Sequence, residues 1–398
     1  MDPVAAQYEA YPYPERDPAE ETRRLLTGTP SDPLEIDHFL FGGKRDWSKP
    51  FRALVAGGGT GDALVMLAQT LADAGCPAEI VYLDLSEAAR EIAEARIAAR
   101  GLSGVAFVTG DLLSAPGLGP FDYIDCCGVL HHLPDPQAGF DALAAALGEG
   151  GGLGAMVYAP LGRTGVYPLQ AALGLLVAGL EPSEKVAAAR RVLAALPETN
   201  WFLRNPLLGD HKESDAGLYD LLLHARDRPF HADEAMAAVA AAGLAFVSFV
   251  EPARYDPETW IGDLAAPVTN LAPPERAALA ERLAGGIKAH VFYAAKGAAK
   301  PAQPKADARP RLRGGSAAAL ARAVAEGRAA HVRRDGVRHK LELPPAAAPI
   351  IRLLDGRRTL GEIAQALGLD WFAFAAAFAP ARRALGGWGM LYFSDTFS

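Results

Sequence analysis

The sequence predicts an α/β fold: a seven-stranded, doubly wound sheet with a helical insertion, followed by a small α+β C-terminal domain. Three observations support this prediction. Between residues 51 and 299, short apolar runs of strand length alternate with segments whose apolar residues recur at helical spacing. Residues 163–230 interrupt this alternation with mostly helical segments. Near residue 300 the composition becomes proline-rich, which is typical of a connection between domains.

The first strand, predicted over residues 52–56, runs directly into a glycine-rich turn and then into a helix. Gly57, Gly59 and Gly61 lack a Cβ atom, so the backbone can adopt positive φ and a ligand can approach the main chain closely. The free amide groups at the start of the following helix favour a nucleotide-like or anionic ligand. Taken alone, the three glycines are equally consistent with a plain strand-to-helix turn.

Three further strands end in polar residues or glycine at what should be one edge of the sheet. The second ends at Asp84, where a carboxylate can accept two hydrogen bonds from a ribose diol. Asp84 could also cap the next helix, although Ser86 is better placed for that role. The third strand is followed by Asp111 and the fourth by Gly128. These strands are predicted over residues 79–84, 105–109 and 121–127.

The spacing of these residues disfavours a nicotinamide dinucleotide site. The dinucleotide motif is G-x-G-x-x-G/A, with an acid about 20 residues further on. Counted from Gly57, the sixth position is Asp62, and Asp84 follows Gly57 by 27 residues. A nicotinamide oxidoreductase therefore stays an alternative that hydride chemistry would reveal.

From Leu54 to Tyr158 the chain resembles the class I S-adenosylmethionine-dependent methyltransferases, on the glycine loop, the strand-two acid, the Gly-Asp-Leu step at 110–112 and the segment 121–136. The resemblance implies a Rossmann-like fold and S-adenosylmethionine as the cofactor. It further implies a role for each matching residue. Gly57, Gly59 and Gly61 would cradle the methionine part, Asp84 would bind the ribose hydroxyls, Asp111 and Leu112 would flank the adenine, and Cys127 with Gly128 would line the sulfonium.

One position departs from the pattern of that family. An acid usually stands two residues before the first glycine, and here that residue is Val55. The amino group of the cofactor therefore needs another partner, or the cofactor binds more weakly. This departure keeps open an alternative function, a cofactor-sensing regulator without turnover.

The N-terminal arm, residues 1–50, is predicted to be loop-like because prolines at positions 3, 12, 14, 18, 30 and 33 would break any long helix. Its segment 7–14 alternates tyrosines with prolines, and a subset of bacterial methyltransferases has a similar Gln-Tyr-Glu, Pro-Tyr-Pro arm ahead of the glycine loop. Tyr8, Tyr11 and Tyr13 either close over the site, with Tyr11 and Tyr13 touching the substrate, or pack as ordinary core aromatics.

Within the methyltransferase-like region, residues 51–299, the helical insertion at about 163–230 is the natural place for acceptor recognition. Asp220 and His224 stand four residues apart and are predicted to share one face of a helix. Such a pair could hold an imidazole as a general base, and Asp227 with Arg228 could grip a charged substrate. The simpler alternative is a salt-bridged helix end at the surface.

His132 is a reserve candidate for the base, although His131 and His132 more simply shape the cofactor pocket. No metal is expected, because acids and cysteines are missing at ligand spacing. Three cysteines form neither a disulfide framework nor a zinc quartet, which favours a reducing cytoplasmic setting. No membrane contact is expected, since the apolar run at residues 169–180 is too short to span a bilayer.

The C-terminal module, residues 316–398, follows a linker at 300–315. Asp335-Gly336 predicts a hairpin turn, Thr359 with Glu362 predicts a capping box, and residues 388–393 predict a strand. Through the stretch 353–360 the module resembles winged-helix domains that present peptides to tailoring enzymes. The proline-rich linker predicts that the module folds alone.

Charge divides the chain at the same place. Residues 301–398 hold 15 Lys and Arg against 8 acids, a net charge of +7, whereas residues 1–300 carry −15. The acidic larger part disfavours nucleic acid as the main ligand, because phosphate contacts dominate that affinity. The basic module leaves nucleic acid or a partner protein open as the ligand of the regulator alternative.

The sequence as a whole predicts a methyltransferase that moves the sulfonium methyl by in-line displacement, with catalysis arising mainly from alignment in a dry pocket. A small molecule or a peptide or protein is the expected acceptor. The sequence identifies neither the acceptor atom nor the oligomeric state.

Overall fold

The computed structural model describes residues 3–298 and 301–395. Its N-terminal arm contains two helices, α1 (Pro3–Ala10) and α2 (Pro33–Leu40). The prediction that this region is loop-like was therefore wrong for these segments. Proline is tolerated in the first turn of a helix, where its missing N–H would have no partner. Pro3 and Pro33 occupy such positions, and Pro12 lies beyond the end of α1.

A seven-stranded sheet forms the centre of the molecule, which confirms the predicted α/β class. Its strands are β1 (Phe51–Ala56), β2 (Ala78–Asp84), β3 (Val105–Thr109), β4 (Phe121–Cys127), β5 (Leu147–Tyr158), β6 (Ala245–Phe249) and β7 (Ala289–Ala295). They are ordered β3-β2-β1-β4-β5-β7-β6, and β7 runs antiparallel to both of its neighbours. The carboxyl ends of β1, β2 and β4 therefore meet at one edge.

Helices cover both faces of this sheet and add the insertion. They are α3 (Asp62–Asp73), α4 (Glu87–Ala99), α5 (Pro136–Ala146), α6 (Val166–Leu176), α7 (Pro182–Ala195), α8 (Trp201–Arg204), α9 (Asp210–Glu213), α10 (Asp215–Leu222), α11 (Ala232–Ala241), α12 (Pro257–Ile261) and α13 (Pro273–Ala284). Strand β1 shows why two layers are needed. Leu54 belongs to one buried core and Val55 to the other, because successive side chains point to opposite faces.

The insertion, α6 to α10, has a small core of its own that includes Val166, Phe202 and Leu218. Helix α10 ends at Leu222, with the N–H of Leu223 bonded to the carbonyl of Tyr219. The prediction that Asp220 and His224 share a helix was therefore wrong. His224 lies in the segment that follows α10, and its position depends on tertiary contacts rather than on helical spacing.

The C-terminal part consists of β8 (Pro310–Leu312), α14 (Ala317–Ala325), β9 (Ala330–Arg334), β10 (Val337–Leu341), α15 (Ala348–Arg352), α16 (Leu360–Ala366), α17 (Trp371–Gly387) and β11 (Leu391–Phe393). The predicted hairpin is β9–β10, with Asp335 at φ 45° in its turn. The predicted capping box is present, because Thr359 and Glu362 bond to each other's backbone N–H groups. The winged-helix interpretation stays a prediction.

The predicted linker is partly structured. Its residue 300 lies outside the described residues, whereas β8 pairs with β11 in antiparallel fashion. The linker and the module also contact the arm helix α2. The Tyr392 hydroxyl donates to Glu35 at 2.9 Å, Arg313 pairs with the same carboxylate, and the Phe393 N–H donates to His38 Nδ1 at 3.0 Å. These contacts give the module a polar interface with the arm.

Within residues 3–298 and 301–395, no single helix combines the length and apolar character needed to cross a bilayer. Helices α16 and α17 meet that criterion only together, and a bend of 109° separates them. Helix α6, the helix in the apolar run that the sequence marked as too short, has 11 residues.

Candidate active site

The glycine loop between β1 and α3 is held close to its neighbours. Gly57 has φ 71°, and a Cβ placed there would lie 2.2 Å from a methyl of Val129. A Cβ at Gly58 would lie 2.3 Å from the Tyr82 ring, whose hydroxyl donates to the Gly59 carbonyl at 2.7 Å. Only glycine fits here, because a Cβ would clash with Val129 or Tyr82 and the φ of Gly57 is positive. Without side chains, the main chain of the loop faces the cavity.

A cavity of about 400 Å³ opens beside this loop at the carboxyl ends of β1, β2 and β4. It lies where ligands bind in open α/β sheets. The cavity brings together most of the residues that the sequence singled out. Those that line it are Gly57, Gly59, Asp84, Asp111, Leu112, Cys127, Gly128, Tyr13, His132 and Asp220.

Five of the predicted residues do not line the cavity: Gly61, Tyr11, His224, Asp227 and Arg228. Gly61 precedes α3 at φ 97°, and a Cβ there would lie 3.0 Å from Cβ of Ala93, so this glycine lets α3 and α4 approach each other. The Tyr11 ring stacks on Tyr219 at 5.2 Å between centroids.

Asp84 is oriented by backbone groups on both sides of the carboxylate. Oδ2 accepts from the Gly59 N–H at 2.8 Å and Oδ1 from the Ser86 N–H at 2.9 Å. Burial raises the pKa of Asp84, and these hydrogen bonds oppose that shift. Ser86 caps α4 through its own hydroxyl, as the sequence suggested. Each carboxylate oxygen keeps a further lone pair, so Asp84 can still accept from a diol at the end of β2.

The arm reaches the inner end of the cavity through Tyr8. Its hydroxyl donates to Asp220 Oδ1 at 2.9 Å and lies 3.2 Å from His224 Nε2. The Tyr158 hydroxyl donates to the other oxygen of Asp220 at 3.2 Å. Asp220 and His224 are thus linked by Tyr8. Sequence analysis did not identify Tyr158, because a tyrosine at the end of an apolar strand resembles ordinary core.

The two histidines at this end are neutral but differ in which nitrogen is engaged. Their rings stack at 3.7 Å, and burial lowers the pKa of both His132 and His224. His224 Nδ1 accepts from the Arg226 N–H at 3.0 Å, so its proton is on Nε2, facing Tyr8. His132 Nδ1 donates to the Arg226 carbonyl at 2.7 Å, so Nε2 carries the lone pair. Among the described residues, no hydrogen-bond partner reaches His132 Nε2.

Asp227 and Arg228 lie beside the cavity and not in it. The Asp227 side chain is fully buried and pairs with Arg163 at 3.0 Å, and Gln170 donates to the same oxygen. Arg228 is largely exposed and packs over the Phe230 ring at 4.8 Å. The structure therefore gives no support to their predicted grip on a substrate. Arg163, which the sequence did not single out, lies 3.7 Å from the centroid of the Tyr158 ring.

Two sets of three side chains could share a metal ion, since their ligand atoms lie within 4.8 Å of one another. The sets are His131, His132 and Asp227, and His132, Asp220 and His224. The positive charge of Arg163 on Asp227 disfavours a cation in the first set. The expectation that the protein binds no metal stays a prediction.

Comparison with known proteins identifies this part of the chain. Residues 54–153 match the family model of a methyltransferase domain. The match covers the glycine loop and the carboxyl ends of β1, β2 and β4.

Two solved structures share the fold of the whole chain. PKMT2 from Rickettsia typhi superposes with a TM-score of 0.60 at 16% identity, covering 97% of this chain and 76% of that one. The complex of the same protein with AdoHcy gives a TM-score of 0.57 at 15% identity, with the same coverage. At 15–16% identity, this similarity shows a shared fold and no more.

An uncharacterized protein from Synechococcus sp. is 30% identical to the chain over 278 residues. The match covers 65% of this chain and 62% of the relative, so the chain spans less than two thirds of the relative's length.

Proposed function

We propose that this protein transfers the methyl group of S-adenosylmethionine to an acceptor bound where Tyr8, Asp220 and His132 meet. One observation carries the proposal: a single cavity joins the glycine loop and Asp84 to these three side chains. The glycine loop and Asp84 suit a nucleoside. Tyr8, Asp220 and His132 suit an acceptor that must lose a proton. Cofactor and acceptor would thus meet inside one mostly apolar space.

Alignment in this space would provide most of the catalysis. The bound cofactor would supply its methyl carbon to the acceptor atom as the bond from carbon to sulfur breaks, and it would leave as a neutral thioether. Holding both reactants in line removes much of the entropic cost of their encounter. We call the part of the cavity where Tyr8, Asp220 and His132 meet its acceptor end. Cys127, Gly128 and Met156 also line the cavity and would exclude water from the methyl group.

His132 fits the role of general base better than His224 does. Its Nε2 carries a lone pair, makes no hydrogen bond within the described residues and belongs to a side chain that lines the cavity. His224 uses one nitrogen to accept from a backbone N–H and directs the other at Tyr8. We therefore assign the base to His132 and the orientation of Tyr8 and Asp220 to His224, which reverses the order expected from sequence.

The acceptor is a small molecule, or a side chain of a peptide or protein. The fold shared with PKMT2 makes a peptide or protein acceptor worth testing first. The arm and the insertion border the acceptor end and would select the acceptor, with the C-terminal module as a peptide-binding winged helix. The three cysteines are unpaired, which supports the cytoplasmic location proposed from sequence. The regulator alternative is not favoured, because one cavity contains both the predicted cofactor residues and the side chains of Tyr8, Asp220 and His132.

Labelled cofactor provides the test. The protein would be incubated with methyl-labelled S-adenosylmethionine and either a peptide library or a metabolite extract, and label transfer would be followed by mass spectrometry. Calorimetry with the cofactor and with NAD would run alongside. Transfer together with binding of the cofactor and not of NAD is the expected result. Cofactor binding with no transfer to any acceptor class would favour the regulator, and binding of NAD would contradict the assignment.

A further inference from the structure

Strands β1 and β4 place Val55 beside an acid. In the parallel pairing of these strands, Val55 is in register with Asp125, so the two side chains point to the same face of the sheet. Both residues line the cavity next to Gly57. Related methyltransferases are expected to carry an acid at the position of Val55, and here the neighbouring strand supplies one.

Asp125 has few partners for a buried carboxylate. It is 1% exposed, and its Oδ2 accepts from the Ser31 hydroxyl at 2.5 Å. No Lys, Arg or His among the described residues pairs with it. Removing a carboxylate from water without a countercharge is costly, so buried carboxylates are usually paired. The cavity therefore contains a carboxylate that a cationic ligand would stabilise.

The other carboxylates in the cavity wall already have partners. Asp62 pairs with Arg16 at 2.6 Å and with Arg96 at 2.7 Å. Asp84 accepts two backbone N–H groups, and Asp220 accepts from two tyrosine hydroxyls. Asp111 accepts from the Leu113 N–H. Asp125 is therefore the acid best suited to a positive group on a ligand.

We propose that Asp125 binds the ammonium group of the methionine part of S-adenosylmethionine, in place of the acid that Val55 replaces. This inference rests on the proposed function. A hydrogen bond between an ammonium and a carboxylate is charge-assisted and roughly twice as strong as a neutral one. The contact would raise the affinity for a nucleoside that carries an amino acid and leave the affinity for a nucleoside without one unchanged. Burial raises the pKa of Asp125 to about 7, and a bound ammonium would favour its ionised form.

The test compares two nucleosides that differ in the amino acid part. S-adenosylhomocysteine carries the ammonium group, whereas 5′-methylthioadenosine lacks the whole amino acid part. Calorimetry would measure both on the full-length protein and on Asp125→Asn, whose amide oxygen can still accept from Ser31. We expect the variant to bind S-adenosylhomocysteine roughly ten- to a hundredfold more weakly, with unchanged affinity for 5′-methylthioadenosine. Unchanged binding of 5′-methylthioadenosine also shows that the variant is folded.

Two further variants sharpen the result. Asp84→Asn should weaken both nucleosides by similar factors, since the ribose is common to them. Val55→Asp in the Asp125→Asn background should restore part of the affinity for S-adenosylhomocysteine. The proposal is overturned if Asp125→Asn binds S-adenosylhomocysteine within twofold of the wild type, or if it loses both nucleosides equally. Failure of the wild type to bind either nucleoside would instead overturn the proposed function, and this inference with it.

Discussion

At the scale of single residues, the acceptor end of the cavity is a network in which each hydrogen bond fixes the next. The Arg226 backbone presents its carbonyl to His132 and its N–H to His224, which gives the two stacked rings opposite tautomers. A neutral histidine is a base only through its unprotonated nitrogen. The backbone of one residue therefore decides which histidine can accept a proton.

Replacing His132 by Ala should lower kcat by about a hundredfold or more, the usual contribution of a general base, and leave cofactor affinity nearly unchanged. His224→Ala is the matched comparison, because the two rings are stacked and both are buried. Its smaller effect on kcat should reflect a less well oriented Tyr8. Steady-state kinetics and calorimetry on both variants would check this, and a larger loss in His224→Ala would contradict the assignment.

Asp125 should make stability depend on pH. Its pKa is about 7 in the folded protein, because of burial, and about 3.9 in the unfolded chain. The unfolded state therefore binds fewer protons between these values, and the free energy of unfolding falls as pH rises from about 4 to 7. Burial also raises the pKa of Tyr123, Cys126 and Cys127, so these neighbours stay neutral over this range.

Asp125→Asn should remove this dependence. The free energy of unfolding of the variant minus that of the wild type should increase by about 2 to 3 kcal/mol as the pH rises from 5 to 8. Urea unfolding of both proteins at several pH values, without cofactor, would measure the difference. Parallel pH profiles for the two proteins would show that Asp125 is ionised in the folded protein across the whole range.

At the scale of elements, the arm is part of the cavity wall. Tyr8, Tyr13 and Pro14 line the cavity, and the Thr60 hydroxyl donates to the Pro14 carbonyl at 2.7 Å. The Ser86 hydroxyl donates to Glu9 at 2.8 Å. Helix α1 buries only Val4 and Gln7 of its own residues, so it adds little to the main core. An element that is held mostly by polar contacts to the site can open at low energetic cost.

Deleting residues 1–15 should therefore reduce turnover far more than it reduces stability. Tyr8→Phe should reproduce part of the loss, whereas Tyr11→Phe is a matched control, because Tyr11 stacks outside the cavity. Hydrogen exchange should show greater protection of the α1 amides when the cofactor is bound. The arm would be a structural element if activity and stability fell equally and the hydrogen-exchange protection of the α1 amides were the same with and without cofactor.

At the scale of the whole molecule, the linker and the C-terminal module support the cavity from a distance. Arg313 pairs with the fully buried Glu35 and donates to the Gly28 carbonyl at 3.1 Å. The Thr29 hydroxyl donates to the same glutamate at 2.6 Å. Residues 28–31 form part of the cavity wall, and Ser31 holds Asp125. Removing the linker and the module would expose Glu35 and loosen the wall.

A chain that ends at Gly297 should thus melt at a lower temperature and bind the cofactor more weakly than the full chain does. Arg313→Ala should produce part of both effects, because it leaves a buried carboxylate without its cation. Arg328→Ala, which removes an exposed pair with Glu326, should change neither. Unaltered melting and affinity in the truncated chain would support the independent module that the linker composition predicts.

The sequence by itself determined the sheet, the glycine loop and most of the cavity wall. Strand and helix periods are local, and the ends of parallel strands meet at one edge wherever such a sheet forms. Gly57, Asp84, Asp111 and Cys127 could therefore be assigned to one place before any coordinates were known.

Tertiary structure decided the features that depend on contacts between distant segments. Helix α10 ends before His224, so the Asp220–His224 spacing was misleading, and Tyr8 from the arm joins the two instead. The tautomers of the histidines follow from hydrogen bonds to Arg226. Strand register, which no single strand encodes, places Asp125 beside Val55. Each of these outcomes depends on which segments meet, because a hydrogen bond or a countercharge acts only over a few ångströms.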